Sequence, residues 1–188
     1  MTGTGVNAQR ESRTDSNAPR TILRTPRLRL RLLDAADAPF ILELLNEPGW
    51  LRFIGDKHVR TTEEAVRYIE RGPLAMFEQN GFCLYCVERA SDGAPIGMCG
   101  LIKRQALDDV DLGFAFLERY GRQGYAHESV MAVMTYARSA LGLARIVAIV
   151  APDNERSVNL LRKAGFAWER KLRLATDNEE LDCFVHPG

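Results

Sequence analysis

The 188-residue sequence lacks a long apolar run and a net charge, and its residues 1–20 contain no apolar core. Its longest apolar run, from Ile146 to Ala151, is far shorter than the roughly 20 residues that a helix needs to cross a bilayer. The 25 Lys and Arg residues equal the 25 Asp and Glu residues, so no overall field favours nucleic acid or a membrane as a partner. Residues 1–20 are polar and predict a disordered tail rather than a secretory signal, which makes a cytoplasmic location the expectation.

Cysteine and histidine are too few and too scattered to predict a metal site. The sequence has four cysteines, at positions 83, 86, 99 and 183, and three histidines that lie far apart. Cys83 and Cys86 form a C-x-x-C motif, which occurs in redox pairs and in halves of zinc sites. Residues 81–89 predict a strand, however, and residues three apart in a strand point to opposite faces. We therefore expect reduced thiols in or near the core, and no metal.

Hydrophobic periodicity predicts one α+β domain over residues 21–188. The predicted strands cover residues 28–32, 82–89, 96–103, 110–117, 145–151, 166–174 and 181–186, with a polar turn at 176–178 before the last one. The predicted helices run from Asp34 to Pro48-Gly49, from Thr61 or Thr62 to about Gln79 with a kink or break at Gly72-Pro73, and over 124–141 and 154–164. The short links among the strands from 82 to 117 predict an antiparallel meander. We expect a mixed, mostly antiparallel sheet of six to seven strands, flanked by helices.

The segment 120–128, YGRQGYAHE, follows an apolar strand and opens an amphipathic helix. A glycine-containing turn before a helix leaves several backbone N–H groups unpaired, and the positive end of the helix dipole lies behind them. This arrangement predicts a binding site for an anion, most often a phosphate. A dinucleotide-binding fold is the alternative, but the segment lacks the G-x-G-x-x-G spacing, and the antiparallel meander before it also disagrees.

The strand over 110–117 carries large apolar residues on one face and small residues with one acid on the other. Asp111, Gly113 and Ala115 share the second face, which is either a solvent-facing side or the floor of a ligand groove. Beyond the next strand, Asn154 and Ser157 share one face of a short helix. Asn154 is expected to cap that helix or to contact a ligand.

Four segments together resemble the GCN5-related N-acetyltransferases (GNAT). These segments are GRQGYAHES, VDLGFAFLE, PDNERSVNLLRKAGF and the N-terminal TPRLRLRLLDAADA, and the last is similar to the start of the ribosomal-protein N-terminal acetyltransferase (RimJ/RimL-type) branch. The resemblance covers the chain from about Thr21 to its end. It implies acetyl-CoA as the donor and direct acetyl transfer to a primary amine, on a small molecule or a protein N-terminus. The alternative is a catalytically inactive CoA-binding or regulatory protein of the same fold, and the protein is expected to be a monomer or a homodimer.

The resemblance also implies which residues hold the donor. A splayed or bulged strand pair would form the slot for CoA. The implied contacts to the pyrophosphate come from Gly121, Arg122, Gln123, Gly124, Tyr125 and Ala126, and those to the pantetheine arm from Phe114, Phe116, Leu117 and Asn154. The family's usual Arg or Gln at the start of the turn is Gly121 here, and a frequent middle Gly is Arg122, so the side-chain contacts are expected to differ.

Two residues are candidates for the chemistry. Asp111 stands where relatives often carry an acid, so it is expected to accept the amine proton, directly or through water, or to attract a cationic substrate. The alternative for Asp111 is a solvated acid in the cluster with Asp108 and Asp109. Ser157 is the candidate for protonating the departing thiolate, because Leu161 stands where many family members carry a tyrosine.

Overall fold

The structure, a computed structural model, describes residues 19–174 and 180–187. Within these residues the strands are β1 (Thr21–Arg24), β2 (Leu28–Arg31), β3 (Leu84–Arg89), β4 (Pro95–Ile102), β5 (Val110–Phe116), β6 (Ile146–Val150), β7 (Ala167–Arg173) and β8 (Glu180–His186). They form one sheet in the order β1-β2-β3-β4-β5-β6-β8-β7. Only β5 and β6 pair in parallel in this part of the chain. The predicted tail up to residue 18 and the predicted turn at 176–178 lie outside the described residues.

The described helices are α1 (Ala38–Leu45), α2 (Pro48–Phe53), α3 (Thr62–Ile69), α4 (Ala75–Asn80), α5 (Tyr125–Ser139) and α6 (Glu155–Lys163). The predicted kink or break at Gly72-Pro73 is confirmed as a π-helical segment, Glu70–Leu74, between α3 and α4. The predicted helix end at Pro48-Gly49 is wrong, because α1 already ends at Leu45 and Pro48 occupies the first turn of α2. Proline suits that position, since the first helical N–H groups have no partner within the helix.

The mostly antiparallel sheet is confirmed, but its eight described strands exceed the expected six to seven. The additional strand, β1, is an edge strand of four residues that pairs with β2. Its sequence, TILR, is too short to show a period of two, so alternation gave no signal. The meander of β3, β4 and β5 is confirmed as two antiparallel pairs.

Helices cover both faces of the sheet, and each face has its own apolar core. One core packs α5 and α6 on the sheet, and the other packs α1, α2 and α3 on the opposite face. Cys83 belongs to the first core and Cys86 to the second, as the strand prediction required. All four cysteines are free and buried, and burial raises the pKa of Cys83 and of Cys99 to about 12. No helix among the described residues is long and apolar enough to span a membrane.

Candidate active site

The two parallel strands β5 and β6 separate soon after they meet. Their pairing is confined to Val110 with Ile146 and Asp111 with Val147. Beyond this point β5 continues to Phe116, and no described strand pairs with it on that side. Its register with β4 runs without a shift from Gly97–Phe116 to Ile102–Asp111. The expected slot is therefore made by splaying of the two strands, and β5 itself contains no bulge against β4.

A cleft of about 120 Å³ occupies the space between the separating strands. Gly113 and Ala115 lie in its wall, together with Trp50, Phe53 and Ile54 from α2 and the segment after it. A Cβ added at Gly113 would lie 2.8 Å from Cδ1 of Ile102, which is too close for a real side chain. The small face of β5 thus lines a groove, and the alternative of a solvent-facing side does not hold.

The open edge of β5 presents unpaired main-chain groups to this cleft. The N–H of Leu117 donates to the carbonyl of Ile96 at 3.0 Å, on the β4 side. Because main-chain groups alternate along a strand, the N–H and C=O of Phe114 and Phe116 face the open side. Leu117 is fully buried, and its carbonyl accepts the N–H of Tyr120. The structure therefore brings Phe114 and Phe116 to the open edge, but not the main chain of Leu117.

The glycine turn after β5 leaves a row of backbone donors free. From Arg122 to His127, no N–H group donates a hydrogen bond to any described residue, and the first bond of α5 joins the N–H of Glu128 to the carbonyl of Gly124. Gly124 has φ +80°, which costs a glycine little. Arg122 also has a positive φ, of 59°, where a side chain is strained. The six consecutive free N–H groups are suited to a polyanion.

Gly121 stands immediately before this row of donors and does not belong to it. Its N–H donates to the carbonyl of Glu118 at 2.9 Å, so this group is already engaged. A Cβ added at Gly121 would lie 3.0 Å from the same carbonyl oxygen, which is a tight contact. Gly121 therefore allows the close turn that leads into the row, but it offers no free N–H of its own.

Residues more than 90 positions earlier in the chain hold this turn in place. One carboxylate oxygen of Glu128 accepts from the hydroxyl of Thr25 at 2.6 Å and the other from Nε of Arg27 at 2.6 Å. Arg27 also donates to the carbonyl of Gln123 at 2.9 Å and lies over the ring of Tyr125. Although burial acts in the opposite direction, the hydrogen bonds from Thr25 and Arg27 lower the pKa of Glu128. The sequence pattern had assigned no role to Thr25 or Arg27.

Asn154 caps α6 beside the cleft. Its side-chain oxygen accepts the N–H of Ser157 at 3.2 Å, so the capping interpretation is confirmed. Its amide nitrogen makes no hydrogen bond to a described residue and remains available to donate. Both Asn154 and Ser157 lie in the cleft wall, with the buried Leu161 one turn further along α6.

Asp111 lies at the inner end of the cleft, where the strands diverge. Only 1% of its surface is exposed, so the alternative of a solvated acid is wrong. One of its carboxylate oxygens accepts the N–H of Ile149 at 3.3 Å, and the other accepts Nε of Arg104 at 2.6 Å. Burial raises the pKa of Asp111 to about 6, and the nearby Arg104 opposes that rise. The carboxylate thus ties β5 to β6 just beyond their last backbone pairing.

Arg104 is a cleft residue that the sequence pattern did not reveal. It follows β4 by two positions, in the loop that returns to β5. Because β4 and β5 pair in the register of Ile102 with Asp111, this loop turns back beside the acid. The sequence signal for Arg104 is the predicted meander. Pairing its two strands residue by residue back from the loop between them would have placed Arg104 near Asp111.

Comparison with known proteins agrees with this geometry. A family model described as "Acetyltransferase (GNAT) domain" matches residues 27–167. The chain belongs to this family. The uncharacterized N-acetyltransferase YoaA of Bacillus subtilis is 33% identical over 153 residues, which cover 81% of this chain and 86% of YoaA.

Solved structures of acetyltransferases share the fold. An acetyltransferase from Agrobacterium tumefaciens is 25% identical with a TM-score of 0.76, over 88% of this chain and 94% of that one. RimL, a ribosomal L7/L12 alpha-N-protein acetyltransferase solved in complex with coenzyme A, is 21% identical with a TM-score of 0.73. The match covers 89% of this chain and 97% of RimL. The predicted α+β GNAT fold and the predicted enzyme class are confirmed.

Proposed function

We propose that this GNAT protein transfers the acetyl group of acetyl-CoA directly to a primary amine, on a small molecule or a protein N-terminus. The observation that carries the proposal is the row of six free N–H groups, 122–127, in the turn that follows a strand whose open edge lines a cleft. A polyanion at the turn and an extended arm along that edge are what a CoA thioester presents. The reaction is proposed to take place in the cytoplasm.

The residues present fit such a donor. The free N–H groups of the turn, 122–126, would hold the pyrophosphate, with the guanidinium of Arg122 beside them. The open N–H and C=O groups of Phe114 and the C=O of Phe116 would pair with the pantetheine arm as a neighbouring strand does. The free amide nitrogen of Asn154 would donate to the same arm from the α6 side. Leu117 would support the strand from the core rather than contact the donor.

The donor supplies an acetyl group activated as a thioester. An ordinary amine must lose a proton before it attacks, since its pKa is about 8 to 10. Asp111 is the one carboxylate in the cleft wall of the described residues, and with a pKa raised by burial to about 6 it is ionised at neutral pH. Each of its oxygens accepts one hydrogen bond and keeps a second lone pair, so it can take the amine proton through a water molecule.

Two further groups complete the proposed site. The N–H of Phe116, which faces the open side of β5, would stabilise negative charge on the acetyl oxygen. The hydroxyl of Ser157 would give a proton to the departing sulfur and take one in return, through water, from the acetylated nitrogen, which must lose its second proton. Leu161 has no group that could do so.

The test of the donor site compares two glycines that both have positive φ. Gly124→Glu places a carboxylate in the proposed cradle, whereas Gly142→Glu carries the same backbone strain (φ +67°) in a position with open space around it. We expect Gly124→Glu to lower CoA affinity at least tenfold, by calorimetry, because like charges repel. Gly142→Glu should leave CoA affinity unchanged. Equal affinities in the two variants would mean that the phosphate site lies elsewhere.

Turnover decides between an enzyme and a CoA-binding protein of the same fold. Free thiol release from acetyl-CoA is measured against a panel of amines, with CoA affinity determined on the same preparation. Tight binding without release above the amine-free rate, for every amine of the panel, would refute the transferase proposal.

A further inference from the structure

The charges that line the cleft are confined to one pair. Among the described residues in its wall, Arg104 and Asp111 are the only ones with charged side chains. The remainder are apolar or small, apart from Asn154, Ser157 and the indole of Trp50, whose Nε1 already donates to the carbonyl of Gly55 at 3.1 Å. Any charged group on the acceptor must therefore be recognised by Arg104 or by Asp111.

Asp111 is poorly suited to hold a cation. Each of its oxygens already accepts one hydrogen bond, one from the N–H of Ile149 and the other from Arg104, and the carboxylate is almost completely buried. The adjacent guanidinium cancels its negative charge. A polycationic acceptor, such as a polyamine, would meet no uncompensated carboxylate in this cleft.

Arg104, in contrast, has donors to spare. It uses Nε for Asp111, and neither of its terminal nitrogens donates a hydrogen bond to a described residue. Its side chain is 35% exposed and forms part of the cleft wall. Asp111 fixes the orientation of the planar group, which leaves two parallel N–H donors in a fork that matches a carboxylate.

We propose that the acceptor is a small amine that also carries a carboxylate, an amino acid with an apolar body, and that Arg104 binds this carboxylate. The assignment rests on the proposed transferase function and names its substrate class. A single guanidinium beside a neutralised acid matches a monoanion better than a phosphate dianion, which needs further cations. The apolar body would pack on Phe53 and Ile54 in the wall of the cleft.

The experiment compares an amino acid with its own amide, for example leucine with leucinamide. The two differ in the carboxylate and in amine basicity. For each protein, the kcat/KM of leucine is divided by the kcat/KM of leucinamide. The informative quantity is the quotient of this ratio in the wild type and the same ratio in Arg104→Gln. Amine basicity cancels in this quotient. We expect the quotient to be about tenfold or more in favour of the carboxylate, because the variant loses a charge-assisted, bidentate partner.

Arg104→Lys is the matched variant, since it keeps the charge and loses the fork. It should retain part of the preference, with the loss appearing in KM more than in kcat. CoA affinity, measured by calorimetry, should be the same in all three proteins. If a variant fails to fold, leucine and leucinamide are compared as competing substrates of the wild type alone. The two KM values are each corrected for the fraction of neutral amine before they are compared.

The outcomes separate this inference from the function on which it rests. If the protein did not bind CoA, or if it acetylated none of the amines, the proposed transferase function would be refuted. Turnover with a quotient near one, or better use of polyamines or of O-phosphoethanolamine than of amino acids, would overturn the carboxylate assignment and leave the transferase standing.

Discussion

Because the pKa of Asp111 is raised, we expect the stability of the protein to change with pH. The perturbation is Asp111→Asn, which keeps the shape of the side chain and removes its titration. Burial raises the pKa of the native carboxyl from its ordinary value of 3.8 to about 6, against the opposing effects of Arg104 and of the Ile149 N–H. The folded protein therefore binds this proton more tightly than the unfolded chain does.

The sign and the size of the pH effect on the unfolding free energy follow from the difference between the pKa of Asp111 in the folded and in the unfolded chain. A raised pKa stabilises the fold fully below pH 3.8, and this contribution is lost as the pH rises through about 6. At about 1.4 kcal/mol per pKa unit, the gap corresponds to about 3 kcal/mol of unfolding free energy, about half of which is lost between pH 5 and 7. The asparagine variant lacks this loss, so its stability relative to the wild type should improve by that amount over the interval.

The unfolding free energy of both proteins is measured by urea unfolding at pH 5 and at pH 7. The compared quantity is the difference between variant and wild type at each pH. Asp108→Asn is the control, because Asp108 is exposed and its carboxylate makes no hydrogen bond to a described residue. Its difference from the wild type should not change over this pH range. A pH-independent difference for Asp111→Asn would show that the pKa is not raised. A change of the opposite sign would show that Arg104 outweighs burial.

Two further predictions concern the turn before α5. Glu128→Ala removes the partner of Thr25 and Arg27, so we expect it to lower the unfolding free energy by about 2 kcal/mol and the melting temperature by about 4 to 8 °C. CoA affinity should fall with it, whereas Glu70→Ala, at an exposed residue whose carboxylate makes no hydrogen bond to a described residue, should change neither. Equal effects of the two would mean that the contacts of Glu128 are dispensable. Arg122→Gly should raise stability by about 1 kcal/mol, because it relieves a left-handed backbone, yet it should weaken CoA binding as much as Arg122→Ala does. Unequal losses of affinity, or a gain of stability in both variants, would contradict this reasoning.

Much of this site could be predicted from the sequence because it is built from local patterns. The glycine turn, the helix after it and the small face of β5 all lie within 110–139, and each depends on neighbours in the chain. The alternation of small and large residues placed Gly113 and Ala115 in the wall of the cleft, where they lie. The capping of α6 by Asn154 is equally local.

Contacts between distant segments could not be predicted in the same way. Nothing near Arg27 or Glu128 shows that they meet, because 101 positions separate them and the contact depends on which strands lie beside α5. The sequence left the burial of Asp111 open for a related reason. Its neighbours Asp108 and Asp109 suggested a solvated acidic cluster, but Asp111 is the member of that cluster that lies within the strand, where it faces Arg104.

The divergence of β5 and β6 has a mechanical consequence. The eight described strands form one sheet, in which the β5–β6 pairing joins a part from β1 to β5 to a part made of β6, β8 and β7. Their shared seam is two residue pairs long and is extended by a single carboxylate. A donor arm that pairs with the open edge of β5 would fill the missing length of this seam. The co-substrate would then serve as a temporary strand, and the sheet would be complete only while the enzyme is loaded.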